Sequence, residues 1–127
     1  RSPLIALDTS ALIDYLGGSN TAVVAAVDLA FSESQACFPP VVLSELLSDP
    51  KLTPKVTELL LQIPILETRP GFWERAGRLR AAVLGRGRKA RLADTLIAQA
   101  CIDHDTPLVA GDAGFKVFEP FGLTLRP

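Results

Sequence analysis

The chain has 127 residues, the size of one domain, and is long enough to bury roughly two thirds of the surface its unfolded form would expose. Its 48% apolar and 21% charged residues are average for a folded protein, and 13 basic side chains nearly cancel 14 acidic ones, which excludes disordered and fibrous classes. No apolar run approaches the 18 or so residues that span a bilayer, and the opening Arg-Ser-Pro-Leu lacks a basic stretch followed by a long apolar one; neither a membrane segment nor a secretory signal is expected, and the expected location is cytoplasmic.

Residues 4–7 are a short, fully apolar run ending at Asp8, which reads as a strand buried on both faces. Thr9 and Ser10 are placed to cap a first helix with Leu12, Ile13 and Leu16 inward and Gly17-Gly18 as its stop. Asn20 is the expected cap of a second helix over 21–32, and 35–38 reads as the next strand, closed by Pro39-Pro40. A third helix over 41–47 starts near Pro40, whose missing amide costs nothing there. A fourth begins at about Thr53 with Pro54 in its first turn and Val56, Leu59, Leu60 and Ile63 inward. Ile65-Leu66 is a candidate short strand. The spacing then predicts a helix over 72–84, a break at Gly85-Arg86-Gly87, and a helix over 92–103 with Leu96, Ile97, Ala100 and Cys101 on one face. Residues 107–110 read as a last buried strand, and 117–125 as an edge strand or hairpin. Short apolar strands alternating with helices predict an α/β domain with a mostly parallel sheet. Cys37 and Cys101, far apart and in apolar surroundings, are expected to be buried free thiols.

The acids fall in an informative pattern. Asp8 and Asp112 follow strand ends, Asp94 opens a helix, and Glu45 interrupts the apolar run Val41-Val42-Leu43-Ser44-Glu45-Leu46-Leu47. In open parallel sheets the carboxyl ends of the strands form the ligand crevice, where all four could converge. Clustered carboxylates raise one another's pKa unless a cation sits between them, and an all-oxygen set suits Mg²⁺ or Mn²⁺. Such ions orient phosphate, activate water and stabilise a leaving oxygen, which is the chemistry of a nuclease. Asp14, Asp103, Asp105 and the other acids read as solvated surface, and His104, the only histidine, as a helix C-terminal cation or solvent contact.

Leu-Asp-Thr-Ser-Ala-Leu-Ile at 7–13, Ser-Glu-Leu at 44–46, Leu-Ala-Asp-Thr-Leu-Ile-Ala at 92–98 and Gly-Asp-Ala-Gly-Phe at 111–115 together resemble the PIN-domain ribonucleases, and more narrowly the VapC-type toxins of toxin–antitoxin pairs. The resemblance runs over nearly the whole chain. It implies one domain, 1–127, with a three-layer α/β/α fold around a central, mostly parallel sheet, and an Mg²⁺- or Mn²⁺-dependent endoribonuclease that hydrolyses RNA phosphodiester bonds. By position, Asp8 and Asp94 are similar to the principal metal ligands, Glu45 and Asp112 to the second pair, and Thr9 or Ser10 to a supporting hydroxyl. One position departs: Ala110 stands where the family often has Thr or Ser. A cognate antitoxin is an implied partner. A homodimer is also expected, because the helices bearing Val56, Leu59 and Leu60 and then Phe72 and Trp73 hold more apolar surface than one core would cover.

Seven of the 13 basic side chains fall between 75 and 91, just before Asp94. Arg86, Arg88, Lys89 and Arg91 are candidate RNA contacts, since cations beside a carboxylate cluster can hold a polyanion over a metal. Three other readings compete. A non-catalytic PIN-like RNA-binding or assembly module would dispense with the four acids. A receiver domain would need a mid-chain phosphoacceptor at a strand end, which is missing even if Lys116 served as its lysine. A haloacid-dehalogenase-type phosphatase would need an acid two residues after Asp8, where Ser10 stands.

Overall fold

The three residues Ile5–Leu7 are all buried, and this central strand, β1, organises the structure, a computed structural model that describes residues 3–18 and 21–127. Around it the chain forms α1 (Thr9–Gly17), α2 (Thr21–Ser32), β2 (Ala36–Cys37), α3 (Pro40–Leu47), α4 (Pro54–Leu61), α5 (Phe72–Gly85), α6 (Leu92–Asp103), β3 (Leu108–Val109), a 3₁₀ helix (Ala113–Phe121) and β4 (Leu125–Arg126). The strands form one parallel sheet in the order β2-β1-β3-β4, within a three-layer α/β/α fold. Ala6 is opposite Cys37 on one side and Leu108 on the other, and Leu108 is opposite Leu125. The chain leaves β1 for β2 on one flank and later returns to β3 on the other. Strand order therefore reverses between β1 and β3, and a crevice opens at their carboxyl ends.

The helices cover this sheet with small and β-branched residues. Val23, Val27 and Ala30 of α2, Ala76, Leu79 and Val83 of α5, and Ile97, Ala98 and Cys101 of α6 are all buried. Both cysteines are free and buried, as expected. Among the described residues, no helix is long and apolar enough to cross a membrane.

Several expectations are corrected. Ile13 and Leu16 are exposed, because α1 docks through Ala11 and Leu12 and leaves the other side of the helix in solvent. Leu59 is likewise exposed while Leu60 is buried and Val56 and Ile63 are half-buried, so the expected inner face of α4 holds one residue too many. Ile65 forms a single parallel bridge to Phe38 rather than a strand. The expected cap Asn20 lies outside the described residues. Residues 117–121 belong to the 3₁₀ helix, and only Leu125–Arg126 pair as an edge strand. The cause is a period of three: Phe115 and Phe118 stack above one another into the core, Asp112 caps the start by accepting from the Gly114 N–H, and Gly122 at φ 112° ends the helix.

Asp103 is not a solvated residue. Its side chain is 7% exposed and takes two bonds from Arg75, Nε to Oδ1 at 3.0 Å and Nη2 to Oδ2 at 2.6 Å, plus one from Gln99 at 2.8 Å. Arg75 also donates to the Pro70 carbonyl, and His104 is within 2.7 Å of the Glu67 carbonyl, so the loop before α5 is tied to the end of α6. Because Arg69 can only donate, its 3.4 Å contact to His104 Nδ1 assigns the proton to Nε2, which then donates to Glu67. Burial opposes charge on Asp103, but the bonds from Arg75 and Gln99 outweigh it and hold the carboxyl below its ordinary range. A depressed folded pKa gives stability that is present above the ordinary carboxylate range and lost as pH falls through it. Asp103→Ala is expected to cost about 1 kcal/mol at neutral pH, chiefly by leaving the buried Gln99 amide without its acceptor, since Arg75 is exposed enough to turn to water; a urea midpoint equal to that of the parent would contradict this.

Candidate active site at the carboxyl edge of the sheet

β1 ends at Asp8, whose N–H still donates to the Val109 carbonyl at 3.1 Å, so the residue is fixed in the sheet and only 3% exposed. Its side chain, rather than Thr9 or Ser10 as expected, caps α1: Oδ1 accepts from the Ala11 N–H at 2.7 Å. The hydroxyls turn elsewhere. Ser10 Oγ donates to Asp8 Oδ2 at 2.7 Å and accepts from the Gly111 N–H at 3.1 Å, joining the ends of β1 and β3. Thr9 Oγ1 donates to Glu45 Oε1 at 2.6 Å, which brings α3 to the same edge. Asp94 enters from the first turn of α6, and Asp112 from the cap of the 3₁₀ helix.

Electrostatics ties these groups together. The Asp8 carboxyl is pushed up to about 6, chiefly by burial; bonds from Ser10, Ala11 and Gly111 oppose the rise, and the charge of Asp94 adds to it. Asp94 is also raised, by burial first, with Arg91 opposing and the charges of Asp112 and Glu45 adding. Asp8, Glu45, Asp94 and Asp112, carried on separate elements, thus occupy one neighbourhood with Thr9 and Ser10, and Arg91 stands at its rim. Arg86 and Arg88 point into a different cavity, and Lys89 is exposed. Arg80, from the same basic stretch, holds the loop between α5 and α6 by donating to the Ala90 carbonyl at 2.8 Å.

The donor set is hard oxygen throughout, and burial leaves Asp8 and Asp94 reluctant to carry charge, a reluctance that a bound cation would remove. These residues therefore fit Mg²⁺ or Mn²⁺. Among the described residues no three acidic, histidine or cysteine side chains close around a common point, so binding an ion requires the carboxylates to draw inward. Sequence reasoning missed Asp14. It is half-buried rather than solvated, and its Oδ2 lies 2.5 Å from where a Cβ on Gly111 would sit. The available signal was its position four residues after Ser10, on the same face of α1.

A raised folded pKa means that Asp8 favours the fold when protonated; this contribution is present in acid and is lost as pH rises from about 4 through about 6, amounting to about 3 kcal/mol. Asn can accept from the Ala11 N–H without charge. Metal-free Asp8→Asn is therefore expected to be more stable than the parent at pH 7, by about 1–3 kcal/mol, and to lack the part of the stability loss between about pH 4 and 6 that Asp8 causes. A lower melting temperature for the metal-free variant at pH 7 would contradict the burial argument.

A family model for the PIN domain matches residues 5–119. No curated protein matches the chain. Among solved structures, the chain is similar to VapBC2 from Rickettsia felis bound to a DNA fragment from the promoter, with 19% identity, 97% of each chain covered and a TM-score of 0.73. It is also similar to FitAcB from Neisseria gonorrhoeae, at 19% identity with 98% and 97% covered and a TM-score of 0.71. A third is VapBC-5 of Mycobacterium tuberculosis, a member of the VapBC family of toxin–antitoxin systems, at 19% identity with 98% of each chain covered and a TM-score of 0.68. At this identity the solved structures speak for the fold alone, whereas the family model spans nearly the whole chain: the protein belongs to the PIN domain family.

Proposed function

We propose that the chain is an endoribonuclease dependent on Mg²⁺ or Mn²⁺, and the toxin of a toxin–antitoxin pair. The observation that carries this reading is the gathering of Asp8, Glu45, Asp94 and Asp112 at the crevice between β1 and β3, where burial raises the carboxyls of Asp8 and Asp94. In this reading Asp8 and Asp94 are the principal metal ligands, and Glu45 and Asp112 complete the set. The metal, when bound, supplies water activation and charge stabilisation at the scissile phosphate. The chain's own residues do the positioning. Thr9 fixes the carboxylate of Glu45, Ser10 fixes Asp8 against the β3 end, and Arg86, Arg88, Lys89 and Arg91 attract the phosphate backbone.

The toxin assignment draws on the VapBC and FitAcB complexes among the structural relatives, and it makes a cognate antitoxin and cytoplasmic action part of the reading. A homodimer through α4 and α5 is supported by Leu59 and Trp73, which are 55% and 65% exposed; Leu60 and Phe72 are already buried within one chain.

The purified chain is expected to cleave single-stranded RNA with Mn²⁺ or Mg²⁺ and to stop in EDTA. Asp94→Asn should lower kcat about 100-fold or more, and Thr9→Val, which frees Glu45, about tenfold. A parent inert on RNA with either metal would instead favour a non-catalytic binding module, and a fully active Asp94→Asn would remove Asp94 from the ligand set.

A further inference from the structure

A cavity of about 300 Å³ opens between the end of α5 and the 3₁₀ helix, lined by Val83, Arg86, Arg88, Lys116, Val117 and Pro120. Three cations face it and no acid lines it. The Arg86 guanidinium is stacked over the Phe121 ring, 4.7 Å from its centroid, which fixes its plane. Arg88 and Lys116 are exposed, and neither side chain has an ion pair or hydrogen bond among the described residues. Gly87, at φ 73°, turns the chain between the two arginines. Like charges brought together without a counterion repel, and an anion between them relieves that repulsion.

The location narrows the anion. Lys116 lies four residues beyond Asp112, roughly 8 Å along the axis of a 3₁₀ helix, and the loop bearing Arg86 and Arg88 leads into α6, whose first turn carries Asp94. The cavity is distinct from the acidic crevice but is built on the 3₁₀ helix that Asp112 caps and on the loop that leads to Asp94. Its walls are mixed: guanidinium and ammonium groups beside the apolar faces of Val83, Val117 and Pro120. A nucleotide has the same division, with charged phosphate oxygens beside a sugar and base that can lie on apolar surface. We propose that this cavity binds a backbone phosphate neighbouring the scissile one on the same RNA strand. The inference rests on the nuclease reading above, and it adds Lys116, from a different element, to the basic loop while leaving Lys89 and Arg91 outside the cavity.

The test is binding in EDTA, so that it does not depend on cleavage. The full chain and its Arg88→Ala and Lys116→Ala variants are titrated by anisotropy with a fluorescein-labelled oligouridylate long enough to reach both sites, at two salt concentrations. Lys55→Ala, which removes the same charge from α4, is the control for bulk electrostatics. Each cavity variant is expected to bind about fivefold more weakly, with a log–log salt slope shallower by about 0.7, while Lys55→Ala follows the parent. Equal affinity and slope for parent and cavity variants, or no binding by the parent, overturns the proposal. A Glu-rich peptide that loses affinity for the variants while the RNA titration is unchanged overturns it in favour of a protein carboxylate. Cleavage of the same RNA by the parent in Mn²⁺ is scored separately, so the nuclease reading stands or falls independently of the cavity.

Discussion

The structure turns on one buried carboxylate. Asp8 is held at the carboxyl end of the central strand by its own backbone bond to β3, and its side chain is committed to the first turn of α1 and to Ser10. It cannot swing into water as a surface aspartate would. Three donors favour its charge, and burial still prevails, leaving the carboxyl near 6. A fold does not gain stability by placing an acid there; the position makes physical sense when a cation offsets the cost. Glu45, Asp94 and Asp112 arrive at the same edge from α3, α6 and the 3₁₀ helix, so the layers that build the core also set the spacing of the acids.

The same reversal of strand order that creates the crevice brings distant sequence segments to it. Ser10 and Gly111 are joined by a hydrogen bond across 101 positions, and Thr9 and Glu45 across 36. The near-zero net charge of the chain conceals this division: acids cluster where the strands end, and cations follow along the loop between α5 and α6. Arg91 stands where the two regions meet and opposes the rise in Asp94, so the positive loop also steadies the negative site. Away from the crevice, the loop before α5 is secured by the Arg75, Asp103 and His104 contacts.

Strands flanked by acids were legible because a parallel sheet buried on both faces leaves an uninterrupted apolar run, after which Asp8 and Asp112 stand out. Glu45 was legible for the same reason, as a charge within apolar neighbours. What periodicity could not supply was the third dimension of short elements. A helix of nine residues such as α1 satisfies two opposing faces almost equally well, and packing alone selects Leu12 over Ile13. The phenylalanines at 115 and 118 repeat every three residues, a spacing that alternation between faces mimics poorly and a 3₁₀ helix meets directly. Asp14 and Asp103 looked solvated because the groups they lie against, the Gly111 backbone and Arg75, are on other parts of the chain. Lys116 was isolated in sequence and joins the arginines only through the fold.

The central claim is that the misplaced charge on Asp8 is answered by a divalent cation among the acids. Calorimetric titration of Mn²⁺ into the chain, repeated in buffers of different ionisation enthalpy, reads the protons released on binding. At pH 6, where the Asp8 carboxyl is about half protonated, binding is expected to release about half a proton or more, falling towards zero at pH 8. Asp8→Asn should weaken binding and reduce that release. Mn²⁺ binding with no proton release at pH 6, or unchanged binding in Asp8→Asn, would contradict the account.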